Sequence, residues 1–273
     1  MKLSFNTFTY SSCPNWLPAY PIDYVIKILS KIGYDALELG CASPVAYPPY
    51  MTKKDRENIY KMLKENNISV SSVLPNPGGA RGNNVASPIE AERKQAVQSC
   101  KDSIDLAYDL GSHICIYVAG WAIWGVDQDQ AWQWSKDCLV EVAKYAKTKN
   151  VMIAIEPTPS DSNLIETPDD ALKLMRETNL DNVKVMFDTI HVFYRKEIMT
   201  DYVEKMGNNL IHLHVSDLER TPPGTYTDFK PLVDALKKID YKGYLTMEIG
   251  LNGRGIDSNL YAKKSYDYMK SIM

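Results

Sequence analysis

The sequence predicts a single (β/α)8, or TIM, barrel spanning residues 1–273, because β-rich runs alternate with helix-patterned segments from end to end and the runs number eight. Strand–helix alternation builds a parallel sheet with helical crossovers, and eight such units close the sheet on itself. The length of 273 residues suits one barrel, which needs about 250. The competing architecture is an open doubly wound sheet, which often carries a glycine-rich phosphate turn after its first strand. Here "YSSCPNW" stands at residues 10–16, with no GxGxxG.

The strand runs are "KLSFNTFT" (2–9), "YDALELG" (34–40), "ISVSSVLP" (68–75), "HICIYVAG" (113–120), "VMIAIEP" (151–157), "VKVMFDT" (183–189), "LIHLHVSD" (210–217) and "GYLTMEIG" (243–250). After the first, Ile22, Val25, Ile26, Leu29 and Ile32 keep one apolar helical face, and after the second Ile59, Met62 and Leu63 repeat the rhythm. A third helix is expected over 87–111, from Ser87-Pro88 to a C-capping Gly111, and a fourth over 127–150. The fifth, 167–178, opens with Thr167 as N-cap, Pro168 at the first helical position and acids in the first turn. Shorter helices are expected near 198–206, 229–238 and 258–272, giving eight helices to eight strands.

The bulk chemistry excludes several classes. With 45% hydrophobic and 24% charged residues the chain reads as soluble, and a net charge of −3 offers no basic surface for nucleic acid. No apolar stretch approaches the ~18 residues of a membrane span, so no membrane partner is expected. Five scattered cysteines without a CxxC pair fit a reducing, cytoplasmic setting rather than a disulfide framework.

In such a barrel the active site lies at the C-terminal ends of the strands. The last four strands end near Glu156, Asp188, His214 and Glu248, each after a largely apolar stretch: "MIAIE", "VKVMFD", "LIHLH", "YLTME". A single strand-terminal acid is most often a helix cap or a salt-bridge partner. Four polar groups on consecutive strands would instead converge on one mouth, and a buried carboxylate is costly unless paired or metal-bound. Three carboxylates and an imidazole form an oxygen-rich site for one divalent cation, Mn²⁺ first, with Co²⁺ or Mg²⁺ also admitted. His191 and Arg220, in the loops leaving strands six and seven, are either solvated surface residues or groups that orient a polar substrate. Of the two histidines in "LIHLH", His214 is nearer the mouth and His212 lies one layer deeper as a hydrogen-bonded core residue.

With these residues in place the chain resembles the xylose-isomerase-like barrels, and more narrowly the sugar phosphate isomerase/epimerase group that includes ketose 3-epimerases of the tagatose and allulose (psicose) type. The resemblance rests on "EP" (156–157), "DTIH" (188–191), "HVSDLER" (214–220) and "MEI" (247–249). It implies a metal held by Glu156, Asp188, His214 and Glu248 and substrate contacts from His191 and Arg220, with Asp217 of the same stretch counted among the substrate-binding residues. It also implies a sugar substrate and a homo-oligomer, dimer or tetramer. The chain departs from many ketose 3-epimerases after the first metal Glu: they carry Asn-Arg and a second Glu six residues on, whereas Ser162 holds that position here and Asp161 the one before. Fructoselysine 3-epimerase-type relatives would align Asp161 with that acid through a one-residue gap.

Inverting the carbon beside a ketone needs a proton removed from one face and returned to the other. Glu156 and Glu248, flanking the arc of Asp188 and His214, are the expected acid–base pair acting through a cis-enediolate. Ketose–aldose isomerisation, or dehydration of a keto-inositol, uses related chemistry on the same ligand set. A non-catalytic sugar-binding barrel would give no reason for that set to be complete. Trp121 and Trp124, after strand four, either bring aromatic faces to the mouth to cover a sugar or pack an oligomer contact or lid base. The glycine-rich "NPGGARGNN" (76–84) is a candidate lid.

Overall fold

The eight expected strands form and close. In this computed structural model, which describes residues 1–11, 19–43, 45–76, 82–250 and 256–273, they are β1 (Lys2–Asn6), β2 (Ala36–Cys41), β3 (Ser69–Pro75), β4 (Ile114–Val118), β5 (Met152–Glu156), β6 (Val183–Asp188), β7 (Leu210–Val215) and β8 (Tyr244–Met247). They run parallel in chain order, and β1 returns to pair with β8, Lys2 opposite Tyr244 and Phe5 opposite Met247. Closure leaves no sheet edge and puts the C-terminal ends of all eight strands on one rim. Cys13, and the Gly78-Gly79 pair of the candidate lid, lie outside the described residues.

The helices follow their sequence signals. Helix α1 (Ile22–Ile32) buries Val25, Ile26 and Leu29 and ends at Gly33, whose φ of 117° suits a residue without a Cβ. In α2 (Lys53–Glu65), Thr52 and Asp55 form a reciprocal capping box. Helix α3 (Glu90–Asp109) starts three residues later than expected, because the Ser87 hydroxyl accepts the Ile89 N–H and holds the chain in a local turn first. It stops at Leu110, with Gly111 beyond the cap at φ 75°. Helices α4 (Gln128–Thr148) and α5 (Pro168–Thr178) open on the side chains of Asp127 and Thr167.

One helix was not expected. Directly after β6 the chain turns into α6 (Thr189–Arg195), because the Asp188 carboxylate accepts the Ile190 N–H and caps it. His191 therefore stands on a helix, not in a loop. The remaining helices, α7 (Met199–Met206), α8 (Lys230–Lys238) and α9 (Ser258–Ile272), match the expected segments, making nine α-helices among the described residues.

The main apolar core lies between the sheet and the helices, and a second, smaller cluster of Leu74, Ile116, Ala154 and Met186 joins β3 to β6. On the other side a buried polar group crosses the barrel: Glu38 of β2 meets His212 of β7, two strands separated in the sheet by β1 and β8. Such a contact runs through the interior. The barrel interior is thus apolar from Leu74 of β3 round to β6, and polar from β7 round through β1 and β2 to Ser72 of β3.

The α5 capping box offers a test of this local logic. Thr167→Ala removes one side of it and should cost about 1 kcal/mol, read as a lower urea midpoint with unchanged slope.

Candidate metal centre

Four strand ends bring Glu156, Asp188, His214 and Glu248 together, with one ligand atom from each within 4.8 Å of every other. Asp188 and His214 are fully buried and Glu156 nearly so, while the Glu248 side chain is 16% exposed and opens to the mouth. His214 Nδ1 lies 3.1 Å from Glu248 Oε2 and 3.5 Å from Glu156 Oε1. Neither ring nitrogen of His214, both buried, makes a hydrogen bond, and Nδ1 is the one that faces the cluster. A buried nitrogen facing two carboxylates with nothing to bond suits a cation between them, so the donor set fits a divalent ion.

Asp188 serves two masters. Its Oδ1 caps α6, and its Oδ2 takes Arg220 Nη1 at 2.6 Å. The two meanings of a strand-terminal acid, helix cap and site residue, are both realised in one side chain. Arg220 Nη1 also donates to Glu248 Oε2, so the guanidinium ties two of the four together. Burial raises the Asp188 carboxyl and Arg220 pulls it back only in part, leaving it pushed up to about 6. Burial works the same way on Glu248, but there Arg220 and His214 prevail and hold the carboxyl well below its ordinary range. Burial disfavours charge on His214, yet Glu38 and Glu248 drive it well above the usual imidazole value.

Arg220 is held in place by its backbone. Glu219 and Arg220 both adopt positive φ, 58° and 59°, a left-handed turn that side-chain-bearing residues seldom take. Gly250 allows it: its N–H donates to Arg220 O at 2.9 Å, and a Cβ there would come within 2.7 Å of Arg220 Cβ. Asp217, expected at the substrate, is fully buried and occupied elsewhere. Its oxygens accept the backbone N–H groups of Leu218, Tyr226 and Thr227, so it holds the loop that carries Arg220.

His191, 3% exposed, points Nε2 to within 4.0 Å of Glu156 Oε1 and 3.8 Å of Asp161 Oδ2. Its Nδ1 is 2.9 Å from Ser160 Oγ. Asp161 is the exposed member, with 68% of its side chain open. Ser162 takes no part in the cluster: its hydroxyl donates to Gly120 O, and Asn163 accepts the Ala122 N–H, fastening the loop after β5 to the loop after β4. Trp121 is half-buried, its backbone held on both sides by Asn84, and it borders a cavity lined also by Leu74, Asn76, Ile116 and Cys100, none of them a ligand candidate. Trp124 is 99% exposed and stands in solvent.

Glu38 escaped the sequence reading. It is fully buried on β2, with Oε2 2.8 Å from His212 Nε2 and Oε1 2.8 Å from His214 Nε2. Burial alone would raise its carboxyl, but the two imidazoles more than offset this and hold it at about 2. The signal was present in "ALELGC", where Glu38 is the one acid of β2 and has apolar neighbours on both sides.

Fold and site together define a class, and the sequence agrees: residues 26–272 match the Xylose isomerase-like TIM barrel family, to which this chain belongs. Among characterised relatives, fructoselysine 3-epimerase of Shigella flexneri is 22% identical over 260 residues, covering 93% of this chain and 94% of that protein. D-psicose 3-epimerase of Ruminiclostridium cellulolyticum is 28% identical over 233 residues, 82% of this chain and 77% of that one. The crystal structure of D-psicose 3-epimerase with D-tagatose from Clostridium cellulolyticum H10 superposes with a TM-score of 0.83 at 22% identity, covering 100% of this chain and 98% of that chain.

The charge states above fix how cation binding should follow pH. A cation competes with the raised proton on His214 across neutral pH, and with the Asp188 proton only below about 6. Calorimetric Mn²⁺ titrations should therefore show affinity rising with pH, approaching about two decades per unit below pH ~6 and about one decade per unit above it. An affinity independent of pH down to about 5 would contradict the assignment of Asp188 and His214 as ligands.

Proposed function

We propose that this chain is a divalent-metal-dependent sugar epimerase of the ketose 3-epimerase kind. The observation that carries this reading is the convergence of Glu156, Asp188, His214 and Glu248, ligand atoms within 4.8 Å, at the C-terminal mouth of a barrel of this family. The relatives named above, epimerases that act beside a ketone, support it. The oxygen-rich donor set favours Mn²⁺, with Co²⁺ or Mg²⁺ as substitutes. A cation held there would draw off the negative charge that develops on the substrate's carbonyl and adjoining hydroxyl oxygens.

The chain's own residues supply the rest. Glu156 ends β5 and Glu248 directly follows β8, on either side of Asp188 and His214, and one takes the proton beside the carbonyl while the other returns one to the opposite face. Arg220 keeps Glu248 ionised, as a base requires, and its remaining guanidinium nitrogens can grip a substrate oxygen. His191, braced by Ser160, holds a second oxygen on the Glu156 side. Asp161, exposed beside His191, faces the outer part of the substrate, and Trp121 offers the nearest aromatic surface after β4. The reading includes a cytoplasmic location, supported by the scattered thiols, and a homo-oligomer. Exposed Tyr194, Ile198 and Tyr226, in the segments following β6 and β7, support the latter.

Incubation of the metal-loaded protein with a panel of ketoses in D₂O tests the proposal. One or more ketoses should gain deuterium at the carbon beside the carbonyl with conversion to the epimer, and no incorporation from any of them would overturn it. Glu156→Gln and Glu248→Gln should each lower kcat by about 10²- to 10⁴-fold on the converted sugar.

A further inference from the structure

Beneath the four-residue cluster the barrel interior carries a second polar layer. Glu38 is its centre, and each of its oxygens meets two partners. Oε1 accepts Asn6 Nδ2–H at 2.7 Å and lies 2.8 Å from His214 Nε2. Oε2 accepts the Ser72 hydroxyl at 2.6 Å and lies 2.8 Å from His212 Nε2. A carboxylate offers about four acceptor sites; here three take hydrogen bonds, from Asn6, Ser72 and His212, and the fourth faces His214 Nε2 at close range without an aligned hydrogen bond. Asn6 also reaches Glu248 Oε1 at 3.3 Å, so the layer is coupled to the cluster above it.

We propose that Glu38 is a positioning residue that fixes His214 with its hydrogen on Nε2, leaving Nδ1 as the metal-binding atom. This rests on the metal reading above. An ionised carboxylate only accepts, so the nitrogen an imidazole turns toward it is the one to carry hydrogen; both turn Nε2, His212 in a formed hydrogen bond and His214 at 2.8 Å. The other ring nitrogen of His214 then faces Glu156 and Glu248. Turning the ring over would set a C–H against Glu38 and strand a buried charge, which the packing around a fully buried side chain resists. A carboxylate behind a ligating imidazole fixes its orientation and raises its basicity, and losing such a partner typically weakens metal binding about 10- to 100-fold.

Glu38, His212 and His214 also approach one another within 4.8 Å, the spacing of a possible second ion site. Asn6 and Ser72 argue against that use. They present hydrogens, not lone pairs, to the Glu38 oxygens, so the layer is built to hold a carboxylate in hydrogen bonds. His212 completes the grip from below: with Ser72 it fixes the half of Glu38 that does not touch His214.

Two measurements on the full chain test this. In ¹⁵N-histidine-labelled protein loaded with diamagnetic Zn²⁺, His214 should show an Nε2–H and a metal-shifted Nδ1. The opposite pattern, or a calorimetric stoichiometry of two ions per chain, overturns the proposal. In Mn²⁺ titrations at neutral pH, Glu38→Gln should keep one site but bind about 10- to 100-fold more weakly, and wild-type affinity in a folded variant likewise overturns it. Should Glu38→Gln fail to fold, Ser72→Ala removes one support of the carboxylate and should weaken binding about threefold to tenfold, with the wild-type spectrum still decisive. Wild-type protein that binds no divalent ion would fail at the first step, which marks failure of the metal reading itself rather than of the Glu38 assignment.

Discussion

The mouth of this barrel is governed by the cost of holding carboxylates close together away from water. Glu156, Asp188 and Glu248 offer oxygens within 4.8 Å of one another, and Glu38 adds a fourth acid just beneath them. Burial disfavours the charge on Asp188, Glu248 and Glu38, and the directions of their shifts show which neighbour prevails. Asp188 has the weakest compensation and is pushed up, whereas Glu248 and Glu38, with cationic or N–H-bearing partners on hand, stay ionised. His214 touches both levels, one nitrogen toward Glu38 and the other toward Glu156 and Glu248. The imidazole is the hinge of the charge balance, and a divalent cation on its upper nitrogen would relieve the repulsion that the protein leaves uncompensated.

Rigid parts hold the metal candidates and bent parts hold the substrate candidates. The four candidate ligands end strands or directly follow them, so the closed hydrogen-bond ladder sets their spacing. Arg220 instead depends on two left-handed residues, on Gly250 and on the three N–H groups gathered by Asp217. A turn of that kind is unfavourable alone and persists because its neighbours over-determine it. The expense is consistent with a side chain that must reach back over the mouth from beyond β7.

The strands were legible because a closed parallel sheet imposes apolar runs of similar length, and the site because polar residues interrupt those runs at the same end. Asp188 was readable as a strand-terminal acid, but its second job was not: a seven-residue helix has too little periodicity to show, and its start depends on one carboxylate oxygen. Asp217 looked like a substrate residue because it lies between His214 and Arg220 in sequence. Its partners come from Tyr226 and Thr227, and nothing in the sequence announces a loop that folds back so far. Glu38 was hidden for the opposite reason. Its partner His214 lies 176 positions away, as the residue numbers give, and only barrel closure brings β2 and β7 face to face.

The division of the interior into apolar and polar halves explains why a buried acid on β2 is tolerable at all. On the β3–β6 side, Leu74, Ile116, Ala154 and Met186 need no partners and pack as a dry plug. On the other side Ser4, Asn6, Glu38, Ser71, Ser72 and His212 are buried together and joined by hydrogen bonds. A single polar residue on that floor would be a liability, whereas side chains joined by hydrogen bonds hold one another in place. Such a floor transmits strand spacing directly to His214, because the imidazole rests on Glu38 and Glu38 rests on β1, β3 and β7. The loop above, at Ser160, Asp161 and Ser162, makes its contacts with His191 and Gly120 and, among the described residues, none with this floor, so it can vary without disturbing the strand geometry beneath it.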